Sequence, residues 1–146
     1  MWVANLDRLP TRVRLASWGL QIPTTCCLCS SEPETRDHLM LTCQFSREVW
    51  KLALGNLNPP VQLFRDWNEL LSWIRMSSKL SPSILRKLAT QATIFHLWKQ
   101  RNNAYHNSCV VLPLVISKMI YRDVKNTILA RRNRKQFRTL LSLWIT

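Results

Sequence analysis

Glycine and acidic residues are scarce in this chain of 146 residues, which holds two glycines and eight Asp or Glu. Gly19 and Gly55 stand alone, so they cannot form a glycine-rich phosphate-binding loop. The carboxylates are too scattered to hold the magnesium ions that metal-dependent phosphoryl transfer requires. The sequence also lacks any other combination of residues that is typical of a catalytic site. We therefore expect that the protein is not an enzyme.

Long hydrophobic runs are also missing. The longest candidate, Cys109 to Ile116, is short and is interrupted by Pro113, whereas a membrane-spanning helix needs about 20 apolar residues. No signal peptide precedes the charged segment near the N-terminus. We therefore expect an intracellular protein, in the nucleus or cytoplasm, that has no membrane partner. Its hydrophobic content of 47% excludes global disorder, and the long apolar stretches at helical spacing predict a mostly α fold.

Cysteine, in contrast, is concentrated in one place. Four of the five cysteines lie between Cys26 and Cys43, and the pattern reads Cys26-x2-Cys29-x8-His38-x4-Cys43. A two-residue gap lets one tight turn aim two sulfurs at the same point, and three cysteines with one histidine are a standard closed ligand set for Zn²⁺. The pattern predicts a structural zinc site, because no ligand position is left open for chemistry.

Two alternatives to this ligand set remain open. The cysteines could be buried fillers or disulfide partners, although clustered cysteines in a reducing compartment more often bind metal. Cys27 could replace Cys26 as a ligand, but a Cys27-x-Cys29 pair would close a strained chelate, which favours Cys26. Cys109 stands alone and is predicted to be a packed thiol.

The net charge of +13 is placed unevenly. Residues 1–74 carry seven Lys/Arg and seven Asp/Glu, while residues 75–146 carry fourteen Lys/Arg and one acid, Asp123. One-sided basicity of this kind suggests a polyanionic partner, most often RNA or DNA, bound through its phosphate backbone. A solvated basic helix face is the alternative.

Six cations are the candidate phosphate contacts: Lys99, Arg101, Arg131, Arg132, Arg134 and Lys135. The last four form the densest cluster, which could also be a nuclear localisation signal or a solvated helix end that favours the helix dipole. Phe95 and Trp98 lie beside Lys99 and Arg101, an arrangement that can stack bases. We expect both rings to belong to the core instead.

The helix signals divide the chain into a small Cys3His zinc-knuckle-like module at residues 1–56 and a helical basic region at residues 57–146. Thr11 is a predicted N-cap and Gly19 a predicted C-cap, and Asn56 to Pro60 reads as a linker. Further helices are predicted over 45–54, 64–76, 82–106, 114–131 and 136–144, with Ser81 as an N-cap and a stripe from Leu85 to Phe95 in the core.

A set of segments spread over most of the chain forms a recognisable pattern: Leu6–Thr11, Arg14-Leu15, Gly19, Cys26-x2-Cys29, Glu34-Thr35, His38-Leu39, Cys43, Val49-Trp50, Trp98–Asn103 and Ala130–Arg138. These segments resemble the zinc-binding region of reverse transcriptases from plant LINE-type (non-LTR) retrotransposons. The polymerase and ribonuclease H motifs of such elements are absent. Because Met1 falls inside the family pattern, we expect a truncated C-terminal fragment.

The resemblance implies zinc at Cys26, Cys29, His38 and Cys43, and a part in engaging template RNA or target DNA. We therefore expect a non-catalytic zinc-binding module that contacts nucleic acid through its basic C-terminal half. The alternatives are a protein–protein docking or assembly module, whose partner could be a reverse transcriptase polymerase region, and a non-functional relic of a transposable element.

Overall fold

The computed structural model describes residues 1–145, and these fold mainly into helices, as the sequence predicts. Within that range the only β pairing is an isolated antiparallel bridge between Thr25 and Pro33. The helices are α1 (Trp2–Asn5), α2 (Arg12–Ser17), α3 (Gln44–Leu54), α4 (Trp67–Arg75), α5 (Ser83–Asn107), α6 (Pro113–Ala130) and α7 (Leu140–Trp144), with a π-helical turn at His38–Thr42 and a 3-10 turn at Lys135–Phe137.

Local capping explains several helix ends. The Thr11 side chain accepts a hydrogen bond from the Arg14 N–H, and Gly19 after α2 has a φ of 92°, a left-handed conformation that glycine adopts without strain. Asp66 caps α4 in the same way. The predicted cap at Ser81 is wrong, because its hydroxyl is buried and donates to the Leu57 carbonyl instead.

One apolar core lies among the larger helices. Helix α3 packs against α6, and α5 packs against both α6 and α4. Trp50 of α3 is fully buried, donates its indole N–H to the Met40 carbonyl, and meets the edge of Phe64 at 5.7 Å. Residues on both sides of the predicted boundary at residue 56 thus share this core. The division into two domains itself stays a prediction.

Helix α5 buries a different face from the predicted one. Leu85 is fully buried, as predicted, and so are Ala89 and Leu97, which were not part of the predicted stripe. Phe95, predicted to lie in the core, is 60% exposed, and Trp98 is only half-buried. The reason is that α3, α4, α6 and the π-helical turn all contact α5. A helix surrounded in this way can bury polar side chains that find partners, so a simple apolar stripe does not mark its inner side.

The C-terminal segment docks on the core. Phe137, Leu140 and Trp144 are buried, and the Trp144 indole stacks on Tyr121 and donates to its carbonyl at 3.1 Å. The predicted helix over 136–144 is interrupted after the 3-10 turn, and α7 begins only at Leu140. In residues 1–145 no helix combines the length and apolar character required to cross a bilayer.

Candidate metal centre

A short loop carries the first two predicted ligands. The Cys26 N–H donates to the Glu32 carbonyl at 2.7 Å, and the Ser30 N–H donates to the Cys26 carbonyl at 2.9 Å. Ser30 takes a left-handed conformation with φ of 57°, which reverses the chain directly after Cys29. This tight turn aims the two sulfurs toward the same point.

The π-helical turn brings the other two ligands together. Five residues of an ordinary α-helix cover about 1.4 turns, so side chains at His38 and Cys43 would point in different directions. Here the Cys43 N–H donates to the His38 carbonyl at 2.7 Å, the i to i+5 bond of a π-helix. The wider turn places both side chains on the same side, and the His-x4-Cys spacing depends on it.

The four ligand atoms fit a zinc ion. Cys26 Sγ and Cys43 Sγ are 4.0 Å apart, and Cys29 Sγ lies 3.2 Å from His38 Nε2. All four atoms lie within 4.8 Å of one another. On a tetrahedral zinc, two sulfurs are about 3.8 Å apart, and a sulfur and an imidazole nitrogen are about 3.6 Å apart. Three sulfurs and one nitrogen in this arrangement suit Zn²⁺ better than a hard, oxygen-seeking cation.

The surroundings of His38 and Cys43 favour the forms that bind metal. A hydrogen bond from Cys26 lowers the pKa of the Cys43 thiol, and the N–H groups of Ser46 and Phe45 at the start of α3 act in the same direction. The same bond and burial raise the pKa of Cys26. Burial lowers the pKa of His38 and so favours the neutral imidazole. With Nε2 as the ligand atom, Nδ1 carries the proton, and Thr42 Oγ1 lies 3.3 Å away to accept it.

The cluster is sealed on one side by the core. Cys26 and Cys43 are 1% and 0% exposed, whereas Cys29 and His38 are half-buried. Leu39, Met40 and Leu41, which follow His38, are completely buried. A metal held here would therefore fasten the loop to the hydrophobic core, which is the role of a structural zinc site.

Cys27 lies next to the cluster but faces another group. Its backbone N–H donates to Glu34 Oε2 at 2.9 Å, and burial together with a hydrogen bond to Glu34 raises the pKa of its thiol to about 11. Cys26, not Cys27, lies with the other three ligands. Cys109 is exposed, and the prediction of a packed thiol there is wrong.

We expect a Cys27→Ser variant to keep one zinc ion per chain, because the serine hydroxyl can still donate to Glu34. When both variants are dialysed under the same conditions, Cys26→Ser should lose most of its zinc, since serine replaces a buried thiolate ligand. Metal analysis of the two purified proteins makes the comparison. Equal zinc loss in both variants would contradict the assignment of Cys26.

A buried ion pair connects α5 to the loop that carries Cys26 and Cys29 and continues to His38, here called the metal loop. Glu34 and Arg101 are 0% and 3% exposed, and the Arg101 Nη2 and Nε atoms donate to Glu34 Oε1 at 2.8 and 3.0 Å. Glu34 also accepts from the N–H groups of Arg12 and Cys27. Burial alone would raise the Glu34 pKa, but the hydrogen bonds from Arg101, Cys27 and Arg12 hold that pKa below its usual value.

Sequence reasoning missed Glu34 as a site residue and misread Arg101. The two residues are 67 positions apart, so no local spacing joins them. The sequence offered two hints: an acidic residue between the predicted metal ligands, and an arginine within the longest predicted helix. Trp98 and Tyr105 flank Arg101, with its guanidinium carbon 4.9 and 4.6 Å from their ring centroids. Arg101 does not belong to a phosphate-binding surface, because its guanidinium group is buried inside the protein.

The other predicted phosphate contacts lie on the surface. Lys99 is exposed on α5. The basic cluster is exposed in the connection between α6 and α7; its members are Arg131, Arg132, Arg134 and Lys135. Arg131 rests on the buried Phe137 ring, with 5.8 Å from its guanidinium carbon to the ring centroid. Contact of these residues with nucleic acid stays a prediction.

Comparison with known proteins bears on the first third of the chain. Residues 1–50 match a family model described as zinc-binding in reverse transcriptase. The matched stretch contains Cys26, Cys29, His38 and Cys43, and the match and the geometry are both consistent with bound zinc. No curated protein and no solved structure matched the chain.

Proposed function

We propose that this chain is a non-catalytic, zinc-stabilised module of a retrotransposon-derived reverse transcriptase, and that it contacts RNA or DNA through its basic C-terminal half. The observation that supports this most directly is the combination of a Cys3His cluster with a match to a zinc-binding region of reverse transcriptases. In this proposal the bound ion has a structural part, and the protein's own cations make the contacts with the nucleic acid.

The charge distribution supports the nucleic-acid part. Residues 75–145 carry fourteen Lys/Arg against Asp123 alone, and the basic cluster lies exposed at the end of α6. Exposed cations of one sign neutralise phosphates and release the counterions condensed on them. Such contacts carry little sequence information, so we propose binding with little sequence preference.

The finer lineage is also part of the proposal. The segments from Leu6 to Trp50, and the later basic stretch from Ala130 to Arg138, resemble LINE-type elements of plants. On this reading the chain corresponds to a region that lies downstream of the polymerase in such an element. Its natural partners would then be the element's RNA or its DNA target.

We expect affinity for single-stranded RNA to fall steeply as salt rises. Changing Arg132, Arg134 and Lys135 together to Gln should weaken binding and reduce the steepness of the log–log salt plot by about 2, since each phosphate contact contributes about 0.7 on a single strand. Fluorescence anisotropy at several salt concentrations measures both quantities.

The matched control removes three exposed cations from the electrically neutral half: Arg8, Lys51 and Arg65, each changed to Gln. Lys51 and Arg65 already pair with Glu48 and Glu69, so this variant should bind nearly as well as the unmodified protein. A salt-independent affinity, or equal losses in the two triple variants, would contradict the proposed surface.

A docking module is the second candidate, and one observation favours it. The connection between α5 and α6 and the first turn of α6 expose neighbouring apolar side chains: Val110, Leu112, Leu114 and Val115. Such a patch suits a protein partner, for example a polymerase region of the same element. If the protein binds no nucleic acid at low salt, the docking module is favoured over the nucleic-acid-binding module.

A further inference from the structure

A cleft between α5 and α6 has an exposed aromatic ring on one wall. Its volume is about 300 Å³, and its walls are formed by Leu88, Gln91, Ala92 and Phe95 from α5, by Asp123, Val124 and Thr127 from α6, and by Arg131 directly after α6. Phe95 is 60% exposed and lies on the outward stripe of α5 with Lys87, Gln91 and Lys99. It is the aromatic member of that stripe, so its ring face is open to a ligand in the cleft.

The cleft also holds polar groups at fixed places. Asp123 accepts from His96 Nε2 at 2.6 Å, and His96 is itself buried, so the carboxylate is held in position. The His96 ring meets Phe95 edge-on at 5.2 Å, which restrains the phenyl ring. An exposed aromatic face beside a hydrogen-bond acceptor that is held in position suits a planar ligand with polar edges.

A cation closes the far end of the cleft. Arg131 lies eight residues beyond Asp123, about 12 Å further along the α6 axis. Its guanidinium rests on Phe137, and the exposed Arg132, Arg134 and Lys135 continue the positive surface outward. The cleft therefore offers a stacking face and a hydrogen-bond acceptor close together. The positive charge that could bind phosphates lies one or two nucleotide lengths away from them.

We propose that this cleft binds an unpaired nucleobase, which stacks on Phe95 while the adjoining phosphates meet Arg131 and the basic cluster. The Asp123 carboxylate would accept from an amino or imino group on the base edge. This inference rests on the proposed nucleic-acid function and sharpens it, because it selects single strands over duplexes. In a duplex the bases are already stacked and cannot enter the cleft.

The test compares a short oligothymidylate with an abasic strand of equal length, which keeps the phosphates and lacks the bases. A Phe95→Ala variant should bind the oligothymidylate about tenfold or more weakly, as expected for the loss of one base–aromatic stack. It should bind the abasic strand as well as the unmodified protein does. A Phe95→Trp variant should retain the affinity for oligothymidylate.

The control is Trp18→Ala, which removes an aromatic ring of equal exposure, 59%, from a distant part of the chain. It should leave the affinity for both strands unchanged. Circular dichroism checks that Phe95→Ala is folded, which its exposure favours. If Phe95→Ala binds both strands normally, the cleft proposal fails while the charged surface stands. If the unmodified protein binds neither strand at low salt, the proposed function fails as well.

Discussion

A Cys43→Ser variant is expected to lose its zinc and to be less stable by about 4 kcal/mol or more, the range in which loss of a structural metal falls. Cys43 is fully buried, and it joins the π-helical turn to the first turn of α3. Serine would leave an incomplete ligand set against the core, where water cannot replace the missing sulfur. Metal analysis after dialysis and thermal unfolding followed by circular dichroism measure the two effects.

The matched control for this substitution is Cys109→Ser. Cys109 is exposed and lies outside the Cys3His cluster, so its variant should keep one zinc ion per chain and an unchanged unfolding midpoint. Chelation of the unmodified protein should reproduce the effect of Cys43→Ser, because metal binding and folding of such loops are coupled. Full zinc content in Cys43→Ser would overturn the ligand assignment.

Replacing Arg101 with Met should destabilise the protein by about 3–5 kcal/mol, the usual cost of leaving a buried charge without its partner. The charge left behind is that of Glu34, which is completely enclosed and keeps the backbone N–H donors of Arg12 and Cys27 and the Cys27 thiol, but no cation. Because one of those donors belongs to the metal loop, the variant should also release zinc faster to a chelator. Urea denaturation and a zinc-release assay test the two expectations.

Two further variants isolate the cause. Lys99→Met removes an exposed cation from the same helix two residues earlier, and it should change stability by less than about 0.5 kcal/mol. Adding Glu34→Gln to Arg101→Met should restore part of the lost stability, because no uncompensated charge then stays buried. An Arg101→Met protein as stable as Lys99→Met would show that the pair contributes little.

The metal cluster could be predicted because its ligands are close in sequence. Cys26 and Cys29 share one turn, and His38 and Cys43 share one helical segment, so short spacings contain the geometry. The π-helical form of that segment could not be predicted, since ordinary helical periodicity does not anticipate an i to i+5 bond. The bounds of α3 to α6 lie within about three residues of those predicted from the apolar spacing, whereas the predicted helix over 136–144 is interrupted.

Contacts between distant segments could not be predicted. Nothing local links Glu34 with Arg101, and Arg101 by itself reads as one more cation in a basic region. Likewise, the spacing of apolar residues placed Phe95 in the core. The inward face of α5 is instead decided by how the surrounding elements cover it, and it buries polar residues such as Thr93 and Gln100. Both misreadings concern α5, the helix with the most neighbours among the larger helices.

The packing of Trp50 has a practical consequence for anyone dissecting this protein. A peptide ending at residue 50 would contain every metal ligand, yet it would strip Phe64 from the indole and Arg101 from Glu34. In that peptide the Trp50 ring would be exposed to solvent, and the Glu34 carboxylate would lie near the cysteines without its arginine partner. Recombinant work should begin from the intact polypeptide, with shorter versions trimmed from positions that leave both of those partners in place.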